Sequence, residues 1–346
     1  SMRGREDMKT MQKLIAEQMK KTPWLTGCGL PLVGVGGTAR SIGKVEEKRI
    51  KYFTAKLHNF QFDIADFAIW YKGLLSTPPG MRRRIPGLSS DRADVIVAGS
   101  SIIKALADKC NSKKLIISGC GLREGLFCEY RHQHENMPLI TPNILETSRN
   151  DMIHQYVPDE EHARLVARFA LRIFDGWKRF HKLPEKRWRD LVETAALLHD
   201  TGITINYYNH TRHSGYIIEN ARLFGMSHMD IVFASIIAAW HHGVNRSYLR
   251  NKPYRKLITD KDIEDLTRAA VIVAIAESLD HPHMGDILDV EARDQDEAAQ
   301  LTLIARKDPL IEMKQLNALM KWIRKTLGTP VTVVVKLLPN GSTRKE

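Results

Sequence analysis

The sequence predicts an α/β layer, then an all-α domain, then a small α+β appendage. Three observations predict it. Two apolar runs, "LPLVGVGG" (30–37) and "KLIISG" (114–119), end in glycine-rich turns and are separated by helical stretches. From about 150 to 285 the apolar spacing is helical throughout, and after 286 it turns to alternation. With 346 residues, two or three domains are expected. They are drawn here at 1–140, 141–285 and 286–346, with the first boundary in the irregular, proline-bearing stretch around Pro138 and Pro142.

In chain order, Met8, Met11, Leu14, Ile15 and Met19 have helical spacing, so the chain opens on an amphipathic helix. The run through Val35 reads as a buried strand, and Gly36-Gly37-Thr38 as a strand-to-helix turn. Asp63 can cap a helix carrying Ile64, Phe67, Ala68, Tyr71 and Leu74, which "TPPG" (77–80) breaks. A helix over roughly 91–109 leads to the strand "KLIISG" and the turn "CGLREG". The spacing of Gly119, Gly121 and Gly125 is not GxGxxG, which excludes a Rossmann reading. The middle domain reads as successive helices, "DEEHARLVARFALRIF", "WRDLVETAALLHD", "GYIIENARLFG", "MDIVFASIIAAWHHG" and "TRAAVIVAIAESLDH", several with glycine as the expected C-cap. In the last domain "DILDVEARD" and "AQLTLIARKD" read as strands, 309–328 as a helix and "PVTVVVKLL" as a strand.

Lys plus Arg exceeds Asp plus Glu by 52 − 40 = 12, which favours a polyanionic partner such as a phosphate chain or nucleotide. No RNA-reading or zinc-finger signature accompanies the excess, so nucleic acid is not the expected partner. No run approaches the ~18 apolar residues of a membrane span, so no membrane partner is expected. The four cysteines lack a CxxC or framework spacing, and a reducing, cytoplasmic setting is the plain reading.

Eleven of the fourteen histidines fall between 154 and 283, which locates the chemistry in the helical domain. His162 lies on its first helix, His199 and Asp200 end a later one, and Asp280 ends the apolar helix "VIVAIAESLD". Carboxylates at the ends of such apolar helices are costly unless a cation or hydrogen bonds meet them. Two imidazoles and two carboxylates suit Mn²⁺, Mg²⁺ or Fe²⁺. His213, His241 and His242 are candidates for a second ion, with Asp200 as the bridge. Such a pair could polarise a phosphoryl group for in-line attack, with His199 and Asp200 as the catalytic centre. His210 and the remaining histidines of this domain are read as peripheral or structural.

The order H…HD…H…HH…D resembles the HD-domain phosphohydrolase superfamily, and "HDTG", "HSGYII" and "WHHG" resemble its two-metal form. The members that hydrolyse bacterial alarmones carry Glu-Asp just after the HD. Here "TGIT" follows, which disfavours that activity.

Read together, "LVGVGGTARSIG", "IPGLSSDRADVIVAG", "ISGCGLREGL" and "LLHDTGITINYYNHTRHSGYII" resemble the exopolyphosphatase / guanosine pentaphosphate phosphatase (Ppx/GppA) family over nearly the whole chain. The resemblance implies a partial actin-like (ribonuclease H-like) lobe ahead of a helical HD domain. It also implies a phosphate chain bound near Gly36, Gly37, Thr38, Arg40 and Arg123. Family members carry an earlier lobe with a catalytic glutamate and an Asp-x-Gly-Gly-Gly-Ser loop. Only 35 residues precede Gly36, so the chain resembles the latter part of such a protein. A homodimer is expected to cover the surface that lobe would leave.

Three functions follow as expectations. One is a Ppx/GppA-type phosphatase of polyphosphate or guanosine polyphosphates. Another is an independent HD-type metal-dependent hydrolase of a nucleotide or phosphate ester. The third is a non-catalytic, dimerising polyanion-binding module.

Overall fold

The computed structural model describes residues 2–295 and 298–338. It divides into two compact units, 1–140 and 141–346.

In the first unit the order is α1 (Met2–Lys20), β1 (Leu32–Gly34), α2 (Gly37–Arg49), β2 (Phe60–Asp63), α3 (Ile64–Ser76), the single turn α4 (Pro79–Arg82), α5 (Ile96–Cys110), β3 (Lys114–Ile117) and α6 (Leu122–Glu135). The sheet order is β1-β3-β2, with β1 parallel and β2 antiparallel to β3. Phe60 and Phe62 alternate with Gln61 and Asp63, so β2 turns one apolar face to the core. That core gathers Ile42, Phe60, Phe67, Ile96, Leu115 and Ile117 under α2, α3 and α5. Asp63 stands at the N-cap of α3 without a side-chain capping bond. The α6 helix, which the irregular sequence around 131–135 hid, buries none of its residues.

In the second unit α7 (Ile144–Tyr156), α8 (Glu160–Gly176), the turn α9 (Lys178–His181), α10 (Glu185–Leu198), α11 (His210–Asn220), α12 (His228–Ala239) and α13 (Asp260–Ser278) are followed by β4 (Ile287–Gln295), β5 (Ala298–Ala305), α14 (Leu310–Leu327) and β6 (Val331–Leu337). Starts are set by short polar side chains. Asp159 accepts from the His162 N–H at α8, Ser227 from Asp230 at α12, and Thr259 forms a capping box with Asp262 at α13. The expected glycine C-caps are not where α8, α11 and α12 stop. Those helices close on Trp177, Ala221 and Trp240, while Gly328 caps α14 in the left-handed region.

The centre of this unit is α13. Ala269 through Ala276 are buried on every side, against α8, α10, α12 and α14. Each fully buried Ile or Val there contributes ~1.5–3 kcal/mol. The consequence for function is positional. A helix that runs through the core delivers whatever polar residues end it, Glu277 and Asp280, close to the interior. β4 pairs antiparallel and β6 parallel with β5, and β4 packs on α8. Among the described residues no helix is long and apolar enough to cross a membrane.

Candidate metal centre

Four helix ends and one turn bring the histidines together. His199 follows α10 directly, with Asp200 after it. The turn Thr201–Thr204 then folds onto the start of α11, where a Cβ on Gly202 would lie 2.1 Å from the His210 carbonyl oxygen. Only glycine permits that approach. The Gly202 N–H donates to Ser214 Oγ at 2.8 Å and locks it. His241 and His242 follow α12, and His162 lies in the first turn of α8.

Two triads result, each with one ligand atom per residue within 4.8 Å of the others: His162, His199 and Asp200, and His210, His241 and His242. Asp200 joins them. Its Oδ2 lies 3.9 Å from His162 Nε2 and 3.5 Å from His199 Nε2, and its Oδ1 lies 3.4 Å from His210 Nε2. These gaps are long for strong hydrogen bonds. They fit two ligands of one ion, since groups each ~2.1 Å from a cation stand at most ~4.2 Å apart.

The other ring nitrogens are committed. The Nδ1–H groups of His199, His210 and His241 donate to the carbonyls of Ala196 at 2.8 Å, Tyr207 at 3.0 Å and Ala238 at 2.6 Å. A carbonyl only accepts, so the proton must sit on Nδ1 and the lone pair on Nε2. His162 Nδ1 is paired with Asp280 Oδ2 at 2.8 Å. The Nε2 atoms of His162, His199 and His241 are buried with no hydrogen-bond partner. An orphaned buried polar atom costs about 1–3 kcal/mol. Three in one cluster, each with its second nitrogen pinned from behind, is the arrangement a metal site requires.

Electrostatics keep these lone pairs available. Burial lowers the pKa of His199, and it pushes His241 down to about 3, so both imidazoles stay neutral. Burial raises the Asp200 carboxyl, but the surrounding imidazoles, His199 first, outweigh it and leave it below the ordinary value.

The structure departs from the sequence-based ligand set in two places. His213 is half-buried and belongs to neither triad. His210, set aside as peripheral, is the α11 histidine that reaches Asp200. Asp280 stands behind the first triad: one oxygen holds His162 Nδ1 and the other accepts the Gly285 N–H at 2.9 Å. Hydrogen bonds, as well as a cation, can therefore meet that carboxylate. Two further residues brace the site. His283 stacks on His162 with centroids 3.7 Å apart, and its Nδ1 donates to Asp159 Oδ2 at 2.9 Å. Glu277, one turn before Asp280, faces His242 and His281. Burial raises its carboxyl, while the neighbouring imidazoles of His242 and His281 more than reverse this and hold it well below the usual range.

The first unit places the other candidates at the carboxyl ends of two adjacent parallel strands. Gly36 has φ +100° ahead of α2, and Gly37 approaches the Arg92 guanidinium. Arg40 Nε donates to the Gly36 carbonyl at 3.4 Å, and its guanidinium lies beside Gly121. Thr38 packs on Gly99. Arg123 is exposed, and its neighbour Glu124 caps α6 by accepting the Gly121 N–H at 2.7 Å. These residues border one strand-end region, with side chains far less buried than the histidines.

A cavity of about 670 Å³ between α7, α8 and α10 is lined by Arg149, Arg164 and Arg189 among others. Acids already meet these guanidiniums: Glu193 for Arg149, Glu160 for Arg164 and Asp175 for Arg189. The basic run 178–189 is laced likewise, Lys178 to Glu185 and Arg187 to Asp230. These guanidiniums of the cavity and these charges of the run are thus internally paired.

Relatives include the guanosine-5'-triphosphate,3'-diphosphate pyrophosphatases of Aeromonas salmonicida (strain A449), 27% identical over 146 residues, and Pseudoalteromonas translucida (strain TAC 125), 27% identical over 157. The matches take in 42% and 45% of this chain but only 28% and 31% of those proteins. Among solved structures, an Aquifex aeolicus Ppx/GppA family member is 24% identical, covering 39% of this chain and 43% of its own, with a TM-score of 0.33. A second Aquifex aeolicus PPX-GPPA enzyme structure is 25% identical over 36% of this chain and 40% of its own, with a TM-score of 0.31. The Ppx/GppA phosphatase family description matches residues 2–134, and Ppx/GppA phosphatase domain III matches residues 144–320. With both units accounted for in this way, the chain belongs to the Ppx/GppA phosphatase family.

Proposed function

We propose that this chain is a phosphohydrolase whose helical unit is an HD-type centre for two divalent cations. The observation that carries the reading is the trio of buried, partnerless Nε2 atoms of His162, His199 and His241, in triads that meet at Asp200. His162, His199 and Asp200 would hold one ion, and His210, His241 and His242 the other, with Asp200 between them. A divalent cation bound there, Mn²⁺, Mg²⁺ or Fe²⁺, supplies Lewis acidity toward a phosphoryl oxygen and makes water a nucleophile near neutral pH.

The chain's own residues do the preparing. Asp280 and the backbone carbonyls of Ala196, Tyr207 and Ala238 fix ring orientation and aim each lone pair inward. Burial keeps His199 and His241 unprotonated. The Gly202 turn sets the spacing between Asp200 and His210.

Family membership and the names of the relatives support a phosphoanhydride substrate, polyphosphate or a guanosine polyphosphate, with other phosphate esters as the alternative. A second reading is favoured by the juxtaposed turns at Gly36 and Gly121: a partial actin-like lobe whose backbone N–H groups and Arg40 bind a phosphate chain. A homodimer is supported by Leu122, Leu126, Phe127 and Tyr130, all exposed on α6.

The test is phosphate release from tripolyphosphate, guanosine polyphosphates and nucleotides by the Mn²⁺-loaded protein, with elemental analysis alongside. Asp200→Ala should lose bound Mn²⁺ and at least 100-fold in turnover. A protein that takes up no Mn²⁺, or equal turnover in Asp200→Ala, overturns the HD-type centre.

A further inference from the structure

The His210, His241 and His242 triad has a carboxylate neighbour that the HD-type pattern does not supply. Glu277 Oε1 lies 3.9 Å from His242 Nε2. It resembles the 3.9 Å gap between Asp200 Oδ2 and His162 Nε2, and at that length it is too long for a hydrogen bond. It is also within the ~4.2 Å span open to two ligands of one cation. The 2.8 Å contact of Asp280 with His162 Nδ1 is of the other kind, a hydrogen bond from behind.

Glu277 has its own partner from behind. His281, one helical turn on, donates Nδ1–H to the same Oε1 at 2.7 Å. A carboxylate oxygen has more than one lone-pair direction, so Oε1 can accept from His281 while facing His242. The side chain of Glu277 is 13% exposed, and imidazoles are its partners. Delivered by the end of α13, it puts a carboxylate among imidazoles, where a cation would offset its charge.

We infer that Glu277 is a further carboxylate ligand, beside the Asp200 bridge, of the cation that His210, His241 and His242 would hold, and that His281 is its positioning residue. The inference rests on the two-cation reading above. It makes the two sites unequal. One ion would have His162, His199 and Asp200, which would leave positions for substrate and water. The other would have three imidazoles, Glu277 and Asp200, and so fewer open positions. The second ion would then anchor the pair, and the first would supply the site for the phosphate.

Equilibrium dialysis against Mn²⁺, read by elemental analysis, tests this on the full chain without reference to turnover. Wild type should bind two Mn²⁺. Glu277→Gln, nearly isosteric, should bind one at wild-type affinity and lose it when His199→Ala is added. His281 is exposed, so His281→Ala leaves the core untouched and should weaken one of the two Mn²⁺ about tenfold. Two Mn²⁺ at unchanged affinity in Glu277→Gln, or no loss of Mn²⁺ affinity in His281→Ala, overturns the assignment. Wild type binding one Mn²⁺ that His199→Ala removes also overturns it, and leaves a single-ion centre standing. Wild type binding none removes the centre itself, a failure visible before any Glu277 variant is made.

Discussion

His181 and His241 are both about 1% exposed in the same unit, yet their nitrogens are used in opposite ways. His181 Nε2–H donates to the Phe174 carbonyl at 2.8 Å, and its Nδ1 accepts the Leu183 N–H at 3.0 Å. Both nitrogens are satisfied, one as donor and one as acceptor, and the ring stacks on Phe174. His241 donates from Nδ1 to Ala238 and leaves Nε2 bare. Burial lowers the pKa of both. What separates a structural histidine from a candidate ligand is therefore neither burial nor pKa. It is whether the second nitrogen has been given a partner.

The sharpest way to break that comparison is at the residues behind the rings. Asp280→Asn replaces the carboxylate that pins His162 with an amide of the same shape. Loss of such a support weakens metal affinity by ~10–100-fold. Mn²⁺ titration of the variant should show that loss on one ion only. Unchanged affinity for both would mean that His162 is not poised through Nδ1.

His181→Leu should do the reverse. It leaves the Phe174 carbonyl and the Leu183 N–H without their partner, at a cost of about 1–3 kcal/mol. Urea denaturation should record that cost as a lower midpoint, with Mn²⁺ stoichiometry equal to wild type. A fall in bound Mn²⁺ would erase the distinction between the two classes of histidine.

How much of this was legible beforehand can be judged residue by residue. The long amphipathic helices and the alternating strands of the second unit carry their period in many residues, so periodicity finds them. β2 has four residues and α6 buries nothing, and neither leaves a periodic signal strong enough to read. In the site, His199-Asp200 and His241-His242 stand out because polar residues end apolar helices. The choice between His210 and His213 could not be read that way. They lie three apart on one helix, and the deciding fact is the contact of the Gly202 turn with the His210 carbonyl, which is tertiary. The adjacent Gly202 was the available hint, since a glycine directly after His-Asp-Thr allows the next helix to approach. Glu277 was findable too: three residues before Asp280 on a helix, it shares that residue's side. Whether Asp280 binds an ion or a ring depends on atoms, and spacing carries no such information.

The smallest effect concerns pH, and it sharpens the same contrast. Burial holds the folded-state pKa of His181 below the usual 6.5. The unfolded chain takes up that proton first as pH falls, so it binds more protons than the folded chain in this window. The His181 contribution to stability is therefore intact above about pH 6.5. It is lost progressively below that, until the lowered folded-state pKa is passed. One proton corresponds to at most about 1.4 kcal/mol per pH unit. Denaturation midpoints of wild type and His181→Leu, compared in Mn²⁺-free buffer from pH 7.5 to 5.5, should converge as the pH falls. Parallel profiles would mean that the satisfied histidine does not titrate with unfolding, and that its two hydrogen bonds do not favour the neutral ring as their geometry implies.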